Sequence, residues 1–173
     1  MNVVGDIHYI IGLDFKFHKL YIVWIDGKTG EDEVLVDGEL KIIAFKTESE
    51  LLDYWQKHIK EQSKEPTTYN IYKLQQWLLN PRSKFDGEEF LNLWNLFIDV
   101  AESIKMQFIG NVKGDIRDSV YDKLFDASGL FIVDDPNPVF NVDEINVLGS
   151  VMQNGLDILL NNLVIIENDK ILP

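Results

Sequence analysis

The chain contains no cysteine. That removes disulfides, thiolate metal sites, iron–sulfur clusters and cysteine nucleophiles together, and it suits a reducing cytosol. Histidine is scarce as well. His8, His18 and His58 stand far apart and form neither HxxxH nor HxH, so no two imidazoles are spaced to share one metal from a single helix or strand. Phosphate-cradling loops of the GxxxxGK[ST] or GxGxxG type are absent. So is the GxSxG nucleophile elbow; Gly149-Ser150 falls inside a helical pattern, where no strained turn exposes the hydroxyl. Long apolar runs are missing too. The stretch 156–166 is interrupted by Asp157, Asn161 and Asn162, well short of the roughly 18 apolar residues that span a bilayer. The opening MNVVGDIHYI has no basic region followed by an apolar run, so no secretion signal is read and the expected compartment is the cytoplasm.

Positive charge is in short supply. Sixteen Lys and Arg face 29 Asp and Glu, for a net charge of −13. Phosphate backbones and anionic membranes repel such a surface, which disfavours direct nucleic-acid or membrane binding. A basic protein partner is compatible with it, because complementary charge speeds encounter; solubility alone is the competing explanation.

What is present is ample core material. At 173 residues and 46% hydrophobic content, the chain is expected to form one domain, 1–173, with no need of a metal or disulfide. The 1–46 portion reads as mainly strand. Apolar runs at 9–17, 20–25, 33–36 and 40–45 are separated by the turn signals Asp26 to Gly30 and Asp37-Gly38. Short connections predict an antiparallel meander.

The 47–173 portion reads as mainly helix. Thr47-Glu-Ser-Glu50 is a capping box ahead of Leu51, Leu52, Trp55 and Ile59. A shorter helix covers 71–79 with Leu74, Trp77 and Leu78 on one side. Asp86 opens the strongest helix, to about Met106, where Phe90, Leu93, Trp94, Phe97, Val100, Ala101 and Ile104 recur at helical spacing. Asp115 caps a helix through Leu124, Leu130 to Val133 allows a short strand, and 134–138 is a loop. Ile145, Leu148, Met152, Leu156, Leu159 and Leu163 form the stripe of a last helix. Strands followed by helices predict an α+β fold: an N-terminal antiparallel sheet of three to five strands with four to five helices packed on it, one of them the helix from Asp86.

The charge is clustered. Six acids face one lysine between Asp26 and Glu39, and six face Arg117 and Lys123 between Asp115 and Asp135. Glu31, Asp32, Glu33, Asp115, Asp118, Asp122, Asp134 and Asp135 are therefore the candidate partner-binding residues. Glu88-Glu89 needs no such role, since acids favour the first turn of a helix. The tryptophans fall in apolar runs and read as core. No catalytic residue, cofactor site or metal site is predicted.

Three segments, VDGELKIIAFKTESELLDYWQ, YNIYKLQQWLLNP and LNLWNLFIDVAESI, resemble bacterial immunity proteins of contact-dependent growth inhibition and related polymorphic toxin systems. The resemblance spans about Val36 to Lys105, with a weaker echo from Val142 to Leu163, and its motifs are fold-defining rather than catalytic. It implies a protein that neutralises the toxin domain encoded nearby, with a basic nuclease as one candidate. Immunity proteins share no fixed set of contact residues, so the resemblance assigns no site. The alternative is a non-enzymatic adaptor or regulatory domain that binds a host-cell protein; a hydrolase with dispersed carboxylates is a third reading.

Overall fold

The computed structural model describes residues 7–27, 32–58, 66–128 and 139–166. Two long strands, β1 (Ile7–Asp14) and β2 (Lys19–Asp26), pair antiparallel from Ile7 opposite Asp26 to Asp14 opposite Lys19. A two-residue strand, β3 (Glu33–Val34), adds to β2. The next strand, β4 (Ile42–Ala44), leaves this sheet. It pairs in parallel with the C-terminal β6 (Leu163–Ile165) and touches β2 through a Tyr21–Phe45 bridge. The fourth strand of the main sheet is β5 (Thr67–Asn70), parallel to β1, giving the order β3-β2-β1-β5.

The α+β class therefore holds, but the sheet is mixed rather than the antiparallel meander expected from short connections. Pairing of β1 with β5 and of β4 with β6 joins positions far apart in the chain, and local turn chemistry carries no sign of that. Leu163 belongs to β6 and not to the last helix stripe.

Among the described residues five α-helices follow or interleave: α1 (Glu48–His58), α2 (Ile71–Leu79), α3 (Gly87–Ser103), α4 (Asp115–Ala127) and α5 (Val142–Asn161). Their starts follow from short polar side chains that satisfy free amides in the first turn. Thr47 and Glu50 exchange bonds of 3.1 and 2.9 Å as a capping box. Asn70, Asp86 and Asn141 accept from the amides of Lys73, Glu89 and Glu144. The residue before α4 is Gly114, so Asp115 sits in the first turn rather than capping it. The segment 129–138, with its expected strand and loop, lies outside the described residues.

Both faces of the sheet are covered, which is why its strands read as continuous apolar runs. Ile11, Leu13, Leu20, Ile22, Ile42 and Ala44 join the larger core with α2, α3, α4 and α5. Alternate positions Ile10, Val23, Ile43 and Phe45 pack under Leu51 and Trp55 of α1. The helix expected to cover the sheet, α3, does so, and it buries Phe90, Leu93, Trp94, Phe97, Val100 and Ala101. Helix α5 crosses it closely at Gly155, where a Cβ would clash with the Phe97 side chain. No helix among the described residues is long and apolar enough to cross a membrane.

Candidate functional site

The expected acidic clusters meet different fates. Asp115, Asp118 and Asp122 all lie exposed on α4, at the three-and-four spacing of one helix face. The helix is held from its other side by buried Val120 and Leu124. Its bases are turned elsewhere. Arg117 donates to the carbonyl of Val112, and Lys123 reaches Glu144 at 2.8 Å and the Val139 carbonyl at 2.9 Å. Among the described residues, none of the three acids enters an ion pair.

A strip of chain carrying exposed apolar residues precedes and enters α4. Among the described residues, four of the ten exposed large hydrophobics, Met106, Ile109, Val112 and Ile116, fall in the eleven positions before and into α4. Buried Phe108 anchors the strip, and the Asn154 carboxamide accepts from the Ile109 amide at 3.1 Å.

Glu144 shows what a buried acid needs in order to stay charged. It is 5% exposed. Burial alone would raise its pKa, but bonds from Lys123, the Asn141 amide and Ser119, with the charge of Lys123, hold it below the ordinary value. It ties α4 to α5 and is structural.

The two described acids of the N-terminal cluster have different surroundings. Glu33 is exposed, opposite Ile25 on β2. Its neighbour Asp32 lines a cleft between the sheet and α3. Glu31, Asp134 and Asp135 lie outside the described residues.

That cleft encloses about 550 Å³. Tyr9, Ile11 and Trp24 come to it from the central strands, Thr67 and Tyr69 from β5, and Asn92, Asn95, Leu96, Ile98 and Asp99 from α3. Among the described residues no lysine or arginine lines it. The Trp24 indole N–H donates to Asp99 Oδ2 at 2.9 Å. Burial pushes the Asp99 carboxyl up to about 6; the Trp24 bond opposes this, while the charges of Asp32 and Glu102 add to it. Burial and the Asp99 charge likewise raise the pKa of Tyr69. Trp24 is thus only half-buried and a cleft residue, not the core tryptophan expected; Trp55, Trp77 and Trp94 are core.

Asp99 is the residue that sequence reasoning missed. The signal was there: Asn92, Asn95 and Asp99 form a polar line at three-and-four spacing inside a strongly apolar helix. A larger hollow of about 1210 Å³ lies between 81–87 and Phe140 to Asn146. Its rim includes Ala127 and Phe140, which border the undescribed 129–138 segment. Among the described residues no three His, Asp or Glu side chains are grouped to hold a metal.

No protein-family model matches the chain, and no curated protein matches it either. One solved structure is similar: the SatS C-terminal domain, crystallised in complex with bromine. Its TM-score is 0.55 at 9% identity, over 92% of this chain and 94% of that one. At that identity the likeness is one of fold.

Proposed function

We propose that this protein is a non-enzymatic, cytoplasmic binding protein, and more narrowly an immunity protein that docks on a cognate toxin domain encoded nearby and occludes its active site. The observation that carries this reading is the surface from Met106 to Asp122. There the exposed apolar residues Met106, Ile109, Val112 and Ile116 fall in the same stretch of chain as three exposed acids that have no ion-pair partner among the described residues. Desolvated apolar anchors give a complex its lifetime, and surrounding charge sets the rate of encounter. An acidic helix face carries the same sign as the phosphates a nuclease binds, so it competes for a basic substrate groove. The resemblance of residues 36–105 to immunity proteins supports the same reading.

The test uses the C-terminal domain encoded by the neighbouring gene. The expected result is a stoichiometric complex and loss of toxin activity, with Val112→Asp and Ile116→Asp shortening the lifetime of the complex. A neighbouring domain that neither binds nor is inhibited at micromolar concentration overturns the proposal.

A further inference from the structure

We propose that the cleft between the sheet and α3 binds a guanidinium cation, held between the Tyr9–Trp24 aromatic pair and the carboxylates of Asp99 and Asp32. The inference uses no part of the α4 surface and stands apart from the function proposed above. Its size fits: about 550 Å³ lies within the roughly 300–1,000 Å³ of small-ligand pockets.

The chemistry of the walls selects the ligand. Among the described residues, two carboxylates and no lysine or arginine line this partly desolvated space, so the lining they form repels an anion, and a neutral ligand leaves its charge uncompensated. Asp99 uses Oδ2 for Trp24, and Oδ1 has no hydrogen-bond partner among the described residues. Asp32 stands near enough to act on Asp99 electrostatically. The amides of Asn92 and Asn95 add acceptor oxygens, although that of Asn95 already takes the Tyr121 hydroxyl at 2.9 Å. The rings of Tyr9 and Trp24 lie 5.1 Å apart.

A guanidinium group matches this set. It is planar, carries five donors for dispersed acceptors, and stacks on aromatic rings. A hard metal ion suits it less well, since such ions take six or more oxygens and no grouped triad of acid or histidine ligands is present among the described residues.

The experiment is a nuclear magnetic resonance titration of the whole chain at pH 7.5, following the Trp24 indole N–H. The probes are agmatine, the blocked peptide acetyl-Gly-Arg-Gly-amide, and urea as a neutral planar control. A saturable shift with a guanidinium probe and none with urea is expected. Asp99→Asn keeps an acceptor for Trp24 and should weaken binding about tenfold or more, as loss of a charged hydrogen bond does. Asp32→Asn, which removes no hydrogen bond among the described residues, should weaken it by a smaller factor and guards against a folding defect in the first variant. Tighter binding of the peptide points to an arginine side chain of a protein, and tighter binding of agmatine to a free small guanidine. No shift with either probe, an equal shift with urea, or unchanged affinity in both variants overturns the proposal.

Discussion

Asp118 on α4 and Asp99 on α3 are both aspartates on amphipathic helices that share one core, yet they face different solvents. Asp118 is exposed, and its carboxylate accepts from the Gly114 amide at 3.3 Å. A charge exposed in this way acts on a partner over about 8 Å at physiological salt. Asp99 is half-buried under Trp24, and burial brings its pKa up to about 6. The comparison teaches that counting acids does not locate a site. An acid in water steers; an acid out of water must be neutralised or partnered. Glu144 marks the third case, buried and fully partnered.

The largest expected effect comes from the element on which both regions are mounted. Trp94 on α3 is fully buried, and its ring meets Tyr121 of α4 edge-on at 5.4 Å. Trp94→Ala should cost about 3–5 kcal/mol by urea denaturation, the range for a large core aromatic. An unchanged midpoint would show that α4 does not depend on α3.

Glu144→Gln comes next. It leaves Lys123 without its partner and should cost about 2–3 kcal/mol at neutral pH. The folded-state pKa of Glu144 lies below its ordinary 4.5. Its stabilisation is therefore complete above that value and is lost as pH falls through the folded one. Wild type and variant should converge in acid; a constant gap in chemical denaturation at every pH would contradict this.

Asp99 should behave in the opposite sense. Its folded pKa of about 6 exceeds the ordinary 3.8, so between those values the folded protein holds a proton that the unfolded chain has released. Stability then falls as pH rises across that window and stays reduced above it. Asp99→Asn should raise the melting temperature by about 2–4 °C at pH 7.5, with the gain vanishing near pH 4. A loss of stability at pH 7.5 would show that the charge is compensated in the fold.

The smallest effect on stability should follow reversal of the α4 face. Asp115→Lys, Asp118→Lys and Asp122→Lys together should move the melting temperature by only a degree or two, because the positions are exposed. Association with the toxin domain should slow by about tenfold at low salt and recover at high salt. Glu33→Lys should change the rate less. Equal effects from the two would leave the −13 net charge as a matter of solubility.

Much of the fold was written locally. The Thr47–Glu50 box, the Asp86 cap and the Phe90 to Ala101 stripe all act within a turn or two of helix, so period and cap chemistry predict them. The α4 acids were legible for the same reason: their spacing alone places them on one face, and buried Val120 and Leu124 point that face outward. Nothing local announced β5, a short polar strand whose partner β1 is more than fifty positions away, and nothing local moved β4 to the C-terminal strand β6. The same holds for the cleft. Asp32, Trp24, Tyr69 and Asp99 became neighbours only when the sheet closed on α3, and the Trp24–Asp99 bond joins residues 75 positions apart. Sequence by itself determined which residues are charged and which helix face carries them. Tertiary structure decided which charges keep their water, because desolvation depends on what distant segments bring alongside.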